Sequence, residues 1–313
     1  MKINETYMRR ALELARKGEI GAHPNPMVGA VIVNSSGEII GEGYHMTCGQ
    51  AHAEVNAIAN AGSADLSDST IYVTLEPCAH YGKTPPCAQL IIDRKIPRVV
   101  IGTIDPFAKV CGRGIAMLRE AGIKVTDLEG EIADSCRKLN RRFFTAHTLL
   151  RPYIALKWAQ TANGFVDNLR TSPTVPPLKI STPESQVAVH RYRSTFDAIA
   201  CGSNTLRLDR PRLDSRLWPG GRDPKRVTFT RGDLFTQLSA LYADGITSIL
   251  IEGGPTLQKS FIDANFWDEI RIETADFSIP NGIAAPIIPK AAKVINETKN
   301  IKILLNNHIP DLL

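Results

Sequence analysis

The hydrophobic positions in the first half of the chain switch repeatedly between helical and strand-like spacing. Met8, Leu12 and Ala15 recur at helical intervals and predict an amphipathic helix that Gly18 could end. The apolar runs "MVGAVIV" and "EIIGEGY" flank the turn residues "NSSG" and predict a β-hairpin. Strands are then predicted at "TIYVTLE", "RVVIGTID" and "IKVTDL", and helices at "AHAEVNAIANAG", "PPCAQLIIDRK", "GIAMLREAG" and, as one long basic helix, "EIADSCRKLNRRFFTAHTLL". Such alternation is typical of a layered α/β domain.

A second series of strand and turn signals begins at "RPYIALKWA", so we predict two domains, residues 1–146 and 147–313. The later strands are predicted at "YIALKWAQ", "DAIACG", "RVTFTR", "ITSILIEGG" and "EIRIETADFS", and the later helices at "STPESQVAVHRYRSTF", "LFTQLSALYADG" and "PTLQKSFIDA". The Pro-rich "SPTVPPLK" predicts a loop that is mobile or faces a ligand.

Composition and charge narrow the class of protein. The 313 residues, 43% of them hydrophobic, suffice for about two domains. We expect a cytoplasmic protein, because no apolar run reaches the roughly 18 residues of a membrane span and the N-terminus lacks a signal-peptide core. Six cysteines in such a chain favour metal binding over disulfides. The mild net charge of +5, without a long Lys/Arg run, suits an anionic small molecule at least as well as nucleic acid.

Two short motifs supply candidate metal ligands. The stretch "TLEPCAHYGKTPPC" contains Cys78 and Cys87, and "HAEVNAI" contains His52 and Glu54. Imidazole nitrogen and thiolates suit Zn²⁺, and three protein ligands leave a fourth tetrahedral position for water. His52 and Cys87 fall at predicted helix N-termini, where the partial positive charge favours thiolate over thiol. Glu54, in the first turn, is expected to carry protons without binding the metal, so the pattern predicts a catalytic zinc site.

Two non-catalytic interpretations compete with the catalytic zinc site. The cysteines and the histidine could simply be buried, since cysteine often acts as a small core residue. A structural zinc would need a fourth ligand, for which Cys48 and His80 are the nearest candidates, but structural sites usually use tightly spaced cysteine pairs that are missing here. The order H-x-E followed by P-C and a second cysteine instead matches zinc nucleobase deaminases, although the second cysteine here follows after a longer loop.

The strings "HPNPMVGAVIV", "GYH", "HAEVNAI" and "TLEPCAHYGKTPPCAQLII" together resemble the bifunctional riboflavin-biosynthesis deaminase–reductases. The resemblance covers nearly the whole chain and is most specific in the first half. It implies a cytidine-deaminase-like three-layer α/β domain followed by a dihydrofolate-reductase-like α/β domain, which is shortened in this chain. It also implies Zn²⁺, NADPH, a homo-oligomer, and a phosphorylated pyrimidine as substrate, with no nucleic-acid or membrane partner.

The family's chemistry assigns roles to particular residues. It implies hydrolysis of the 2-amino group of a diaminopyrimidinone ribosylamine 5′-phosphate, with Glu54 passing protons to the ring nitrogen and the leaving ammonia, and then reduction of the ribosyl group to ribityl. The resemblance places these residues in the deaminase substrate pocket: Asn25, His45, His80, Lys83 and Thr84.

The motif "LIEGGPTL" is the most informative one in the second half. Gly253 and Gly254, between a strand and a helix, would let backbone N–H groups approach a pyrophosphate, although tight strand–helix packing explains them equally well. The resemblance implies these further contacts: Thr205 and Asp209 with the cofactor, and Arg193, Arg216 and Glu252 with the substrate.

Several positions depart from the family pattern. Phe107 stands in the place of an asparagine and Asn163 in the place of an aspartate, while Pro176, Pro177 and Lys179 replace polar and aromatic residues. The stretch between "PKRVTFTR" and "DGITSILIEGG" is shorter than in the family by about one strand and its connection. We therefore expect the second domain to bind NADPH but to reduce substrate slowly or not at all.

Three other functions stay open at this point. The chain could be a deaminase with a degenerate reductase domain, or a zinc deaminase of a free nucleoside or of tRNA. It could also be a non-catalytic, zinc-stabilised binding protein, but such a scaffold would have no use for the proton-carrying Glu54.

Overall fold

In the computed structural model, the described residues are 4–80, 85–107 and 111–308. The chain divides into two compact units, Met1–Thr148 and Leu149–Leu312, each with its own sheet and its own hydrophobic core. This division lies close to the predicted border between residues 146 and 147, and the assignment of one activity to each side stays a prediction. Within the described residues, no helix has both the length and the apolar composition needed to cross a bilayer.

The first unit is built on a five-stranded sheet. Its elements are α1 (Glu5–Arg16), β1 (Gly29–Val33), β2 (Ile39–Tyr44), α2 (Ala53–Asn60), β3 (Thr70–Val73), α3 (Cys87–Asp93), β4 (Arg98–Ile101), α4 (Arg113–Glu120), β5 (Lys124–Asp127), α5 (Gly130–Leu139) and α6 (Arg141–Leu149). The strands lie in the order β2-β1-β3-β4-β5, with β1 antiparallel to both neighbours and β3, β4 and β5 parallel. The predicted hairpin is confirmed as β1 and β2.

Successive residues of a β-strand point to opposite sides of the sheet. Both sides are covered by helices in this unit, so both faces of the sheet are buried. Ala30 and Ile32 of β1 pack with α2, α3 and α4 in one core. Val31 and Val33 of the same strand pack with α1 and α5 in another core. Helices on both faces of a sheet form the three-layer α/β domain that the sequence predicts.

The second unit is built on a seven-stranded sheet. Its elements are β6 (Tyr153–Gln160), β7 (Phe165–Asp167), α7 (Pro183–Arg193), β8 (Ala198–Ala200), α8 (Ser203–Asp209), β9 (Lys225–Arg226), α9 (Leu234–Ala243), β10 (Ser248–Glu252), α10 (Pro255–Asp263), β11 (Glu269–Thr274), β12 (Ile283–Ala284), β13 (Lys293–Glu297) and β14 (Ile301–Leu305). The order is β13-β14-β11-β6-β10-β8-β9, and β7 pairs with β12 in a separate two-stranded sheet. The five strands from β11 to β9 run parallel, while β14 and β13 are antiparallel to their neighbours.

The prediction of one long basic helix after β5 is wrong, because α5 and α6 are separate helices that meet at Asn140. The Asn140 side chain accepts a hydrogen bond from the Met27 N–H (2.8 Å) and donates one to the Met27 carbonyl (2.8 Å). Its backbone angles, φ −108° and ψ 29°, leave the helical region. A side chain that pairs with both backbone groups of a distant residue breaks the helix at this point.

The prediction of a strand over "RVTFTR" is also largely wrong, because only Lys225–Arg226 pair with β8. In the described part of the chain, β9 is the edge of the sheet and has no outer neighbour that could extend the ladder. The chain instead turns Phe229 toward the core, where its ring lies 5.0 Å from the ring of Phe261.

Candidate functional site

Three possible metal-ligand atoms meet where α2 and α3 begin. His52 is the N-cap of α2, Cys87 is the first residue of α3, and Cys78 lies between β3 and α3. The His52 Nδ1 lies 3.6 Å from the Cys78 Sγ and 3.3 Å from the Cys87 Sγ. Tetrahedral zinc, with Zn–N of about 2.0–2.1 Å and Zn–S of about 2.3 Å, separates nitrogen from sulfur by about 3.5 Å. The donor set and its spacing therefore fit Zn²⁺.

The pKa values of the two cysteine thiols are shifted in opposite directions. The hydrogen bond from Cys87 lowers the pKa of the Cys78 thiol to about 4, and His52 and the Cys87 backbone N–H contribute to this shift. The same hydrogen bond, together with burial, raises the pKa of Cys87. A divalent cation held by Cys78 and Cys87 would favour the thiolate form of both side chains.

Glu54 lies beside these ligands in the first turn of α2 and is 3% exposed. Burial raises the pKa of Glu54 to about 7, and the negative charge on Cys78 adds to this shift. A carboxyl group with a pKa near neutrality can both take up and release a proton at physiological pH.

Of the predicted substrate residues in this unit, Asn25 and His45 form a pair next to the metal ligands. The His45 Nδ1–H donates to the Ala51 carbonyl (3.1 Å), so the His45 Nε2 accepts from the Asn25 side-chain amide (3.1 Å). The rings of His45 and His52 lie 5.2 Å apart at nearly right angles. His80 is exposed. Lys83 and Thr84 lie outside the described residues.

A supporting carboxylate that the sequence motifs do not reveal is Glu76, which lies two positions before Cys78 and is 4% exposed. It accepts backbone hydrogen bonds from Gly112 (2.9 Å), Gly114 (2.9 Å), Ile115 (3.4 Å) and Asp105 (3.3 Å). The first three of these contacts satisfy free N–H groups at the start of α4. A charged residue at the end of the apolar string "TIYVTL" is the signal that could have revealed it.

The start of α4 packs directly against the loop that carries Cys78. A Cβ atom on Gly114 would lie only 2.0 Å from the Pro77 carbonyl oxygen, so this position requires glycine. Glu76 and Gly114 together hold the backbone before Cys78 against α4 and thereby position one of the metal ligands.

The second unit contains a cavity of about 1220 Å³ at the carboxyl ends of β6, β8 and β10. Ligands of open α/β sheets bind at this edge. The volume exceeds the roughly 300–1,000 Å³ of ordinary small-molecule pockets and suits two ligands side by side. All seven residues predicted to bind cofactor or substrate line it: Thr205, Asp209, Gly253, Gly254, Arg193, Arg216 and Glu252.

The residues of this cavity that are predicted to contact the substrate take part in ion pairs. Arg193 binds the Glu252 carboxylate through two parallel hydrogen bonds of 2.9 and 2.7 Å. Although burial alone raises the pKa of Glu252, the Arg193 guanidinium outweighs this effect and holds the pKa below its usual range. Arg216 pairs with Asp214 at 2.5 Å. These charged groups are therefore oriented by one another before any ligand arrives.

The turn between β10 and α10 is formed by Gly253 and Gly254, with φ angles of +69° and +70°. A Cβ atom on Gly254 would lie 3.2 Å from the Thr205 Oγ1 and 3.3 Å from the Gly202 Cα. The glycines thus allow close packing against the start of α8, and they also leave the N-terminus of α10 open to the cavity, where an anion would be stabilised.

Two family models match the chain. Residues 1–103 match the cytidine and deoxycytidylate deaminase zinc-binding region. Residues 152–233 and 231–279 match the RibD C-terminal domain.

Individual relatives agree with these matches. Riboflavin biosynthesis protein RibD of Bacillus amyloliquefaciens is 35% identical, with 91% of this chain and 88% of that protein aligned. The chain belongs to the RibD family of riboflavin biosynthesis proteins. RibD of Aquifex aeolicus (strain VF5) is 44% identical over 72% of this chain, which spans only 61% of that relative's length. The solved diaminohydroxyphosphoribosylaminopyrimidine deaminase/5-amino-6-(5-phosphoribosylamino)uracil reductase of Thermotoga maritima is 32% identical, with a TM-score of 0.82 over 96% of this chain and 97% of that one.

Membership of the RibD family confirms the predicted fold classes, a cytidine-deaminase-like domain and a dihydrofolate-reductase-like domain. It implies Zn²⁺ for the first unit and NADPH for the second. The donor set of His52, Cys78 and Cys87 fits the metal, and the cavity of the second unit is larger than ordinary small-molecule pockets.

Phe107, one of the departures from the RibD pattern, replaces a polar position by an aromatic one. Its N–H donates to the Asp105 carboxylate (2.8 Å), and its ring lies 4.9 Å from the ring of His147. Burial raises the pKa of Asp105 to about 6. The loop after β4 therefore presents a ring–ring contact at this position.

The side chain of Asn163 joins its own turn to the backbone of Ile279. It donates to the Ile279 carbonyl (2.7 Å) and accepts from the Ile279 N–H (3.3 Å) and the Thr161 hydroxyl (2.8 Å). A carboxylate could not donate the first of these bonds. In the described part of the chain, Asn163 does not line the cavity, whereas Pro177 and Lys179 do.

The two segments of the RibD C-terminal match meet at residues 231–233, shortly after β9. This is the region where the sequence predicts a shortened connection.

Proposed function

We propose that this RibD-family chain removes an amino group from a phosphorylated diaminopyrimidine in its first unit and reduces the sugar of the product with NADPH in its second. The substrate would be 2,5-diamino-6-ribosylamino-4(3H)-pyrimidinone 5′-phosphate, and the ribosyl group would become ribityl. The name of the T. maritima relative contains both activities, deaminase and reductase.

The observation that carries the deaminase half is the buried Glu54 beside the nitrogen and two sulfurs of His52, Cys78 and Cys87. Zinc, when bound, supplies an activated water at the position that the protein ligands leave open. Glu54, with a pKa of about 7, would take one proton from the attacking water and pass it to the ring nitrogen as the C–O bond forms. It would then take the remaining hydroxyl proton and pass it to the amino group, which leaves as ammonia when the C–N bond breaks.

The pyrimidine would be held next to the metal by Asn25 and His45, which form a hydrogen-bonded pair close to His52. His80, Lys83 and Thr84 complete the proposed pocket. Lys83 and Thr84 supply an ammonium and a hydroxyl, the groups that suit a phosphate or a ribose.

In the second unit, the N-terminus of α10 at Gly253–Gly254 would hold the pyrophosphate of NADPH, with Thr205 and Asp209 as further cofactor contacts. The ordered charges of Arg193, Arg216 and Glu252 would bind the sugar phosphate and the pyrimidine. This arrangement is supported by the convergence of all seven residues on one cavity.

A paired assay on one preparation tests both halves. Ammonia release is measured with the diaminopyrimidine ribotide, cytidine and an RNA stem-loop, and NADPH oxidation is then followed with the deaminated product. We expect ammonia from the ribotide alone. Faster release from cytidine or from RNA would replace the proposed substrate by a nucleoside or a nucleic acid, and no release from any of the three would favour a binding protein.

A deaminase without an active reductase is the second candidate, and the two-residue edge strand β9 favours it. Hydride transfer needs reacting atoms about 3–3.5 Å apart, and an error of about 1 Å costs roughly a hundredfold in rate. NADPH binding without oxidation would support this candidate. Turnover near one per second, the low end for ordinary enzymes, would support the bifunctional enzyme.

We also expect the chain to act as a homo-oligomer in the cytoplasm. Light scattering of the purified protein, and fractionation of cells that produce it, test these two expectations separately.

A further inference from the structure

Arg170 is a buried arginine that joins three parts of the second unit. Its side chain is only 2% exposed. The Nε donates to the Asp167 carboxylate at the end of β7 (2.7 Å), and one terminal nitrogen donates to the Asp209 carboxylate at the end of α8 (2.6 Å). The other terminal nitrogen donates to the carbonyl of Val175 in the Pro-rich segment (3.1 Å). One guanidinium thus connects a strand, a helix and a loop.

The Pro-rich segment 171–179 is held at a second point by the same carboxylate that binds Arg170. The free oxygen of Asp167 accepts hydrogen bonds from the N–H groups of Leu178 (2.9 Å) and Asn168 (2.9 Å). Leu178 also lines the cavity, as do Asp167, Arg170 and Asp209. The segment therefore forms a fixed part of the cavity wall.

The charge of Arg170 matters as much as its geometry. Asp167 and Asp209 bring two carboxylates to the wall of a cavity that would receive an anionic dinucleotide. Arg170 lies between them and offsets their charge. The guanidinium donates to its three acceptors from three separate nitrogens, whereas the three N–H donors of a lysine all belong to one compact ammonium and cannot span the same distance.

We propose that Arg170 is a positioning residue for NADPH. It fixes segment 171–179 and the Asp209 carboxylate as one wall of the cavity and keeps that wall from repelling the cofactor. This inference rests on the proposed reductase function and adds to it a residue that none of the predicted cofactor contacts includes.

The test compares Arg170→Gln, Arg170→Lys and the control Arg207→Ala. Arg207 is an exposed arginine of α8, the helix that carries Asp209, and it lies outside the cavity lining. The NADPH Kd is measured by fluorescence titration at low and high salt. Losing one interaction with a charged group should raise the Kd about tenfold or more in Arg170→Gln. Salt should reduce this defect, since it screens the exposed carboxylates. Arg170→Lys should have an intermediate Kd, and the control should match the wild type.

Hydrogen exchange separates this role from a general loss of folding. Amides in segment 168–180 should exchange faster in both Arg170 variants, with the Leu178 N–H most affected, while ammonia release stays unchanged. If Arg170→Gln does not fold, the folded Arg170→Lys decides, because it cannot reach all three acceptors.

The outcomes distinguish the two proposals. Wild-type affinity and wild-type exchange in the Arg170 variants would overturn the inference while leaving the reductase intact. An equal loss of affinity at both salt concentrations, without faster exchange, would also overturn it. A wild-type protein that does not bind NADPH would overturn the reductase proposal and the inference with it.

Discussion

At the scale of single residues, three buried carboxylates show how the surroundings decide what one chemical group does. Among the described residues, no arginine or lysine offsets the burial of Glu54, so its pKa rises to about 7 and it can exchange protons. Asp268, completely buried, binds both terminal nitrogens of Arg151 at 2.7 and 2.8 Å and stays ionised. Glu76 accepts four backbone N–H groups and serves as a fixed support.

Glu54→Gln should keep the metal and lose deamination. The amide preserves the size of the side chain but cannot accept and return a proton, a contribution of about 10²–10⁴ in rate. Ammonia release and metal content are measured on the same sample. Activity above about a tenth of the wild type, which lies outside that range, would contradict the proposed role.

Asp268→Asn should destabilise the protein at neutral pH and much less in acid. Burial alone raises the pKa of Asp268, but Arg151 and His308 outweigh this effect and hold the pKa below its usual range. The folded pKa is then lower than the unfolded value of about 3.9, so the stabilisation is present above about pH 4 and is lost as the pH falls through the folded pKa. Removing one partner of a buried pair costs about 3–5 kcal/mol.

Thermal unfolding of both proteins between pH 7 and pH 3 tests this expectation. Asp263→Asn is the matched control, because Asp263 forms an exposed pair with Lys259, and such pairs contribute little. A wild-type–variant difference that does not shrink below about pH 4 would contradict the assigned linkage.

At the scale of elements, helix starts and the turns before them build both sites. The N-termini of α2 and α3 hold His52 and Cys87, and the start of α4 holds the loop of Cys78 through Glu76. In the second unit, the Gly253–Gly254 turn before α10 forms part of the cavity wall. Changes in these supports should act on the sites without altering any ligand.

Glu76→Gln should weaken metal binding although Glu76 is not a ligand. One acceptor oxygen becomes a donor and then faces the N–H groups at the start of α4. Loss of such a supporting contact typically costs about 10–100-fold in metal affinity. Competition with a chromophoric chelator measures the affinity, and Glu120→Gln at the exposed end of α4 is the control. Unchanged affinity would mean that the Cys78 loop does not depend on this contact.

Gly254→Ala should reduce NADPH affinity, and by more than a Gly→Ala change at a left-handed glycine that has no close neighbour. A residue with a Cβ in this left-handed conformation costs about 1–2 kcal/mol. Its Cβ would also press on Thr205 and Gly202 at 3.2–3.3 Å. Gly245→Ala is the matched control, since Gly245 has φ +83° and no atom within 4 Å of an added Cβ. Equal NADPH affinity in the two variants would show that the turn does not shape the cofactor site.

At the scale of the whole molecule, the two sites draw on different units. The metal ligands belong to Met1–Thr148 and the cavity to Leu149–Leu312, and each unit has its own core.

Metal removal should therefore abolish ammonia release and leave NADPH binding unchanged. The protein is dialysed against a chelator, and both properties are measured before and after Zn²⁺ is added back. Ammonia release should return with zinc, and the NADPH Kd should stay the same throughout. A parallel loss of NADPH binding would show that the second unit depends on the metal of the first.

The sequence by itself determined the elements that local spacing controls. The hairpin of β1 and β2, the strand β6 and the Thr182 cap of α7 follow from hydrophobic period and capping residues, which act within a few positions. The convergence of His52, Cys78 and Cys87 could also be predicted, because His52 and Cys87 lie at helix starts that the same local signals reveal.

Only the tertiary structure decided the roles that depend on distant partners. Asn140 divides a predicted helix because it binds Met27, 113 positions away. Arg170 receives its role from Asp209, 39 positions away. Glu76 becomes a support because the start of α4, 36 and 38 positions away, returns to it across the sheet. A buried polar group takes its function from whichever partner offsets its loss of water, and the packing of the whole domain selects that partner.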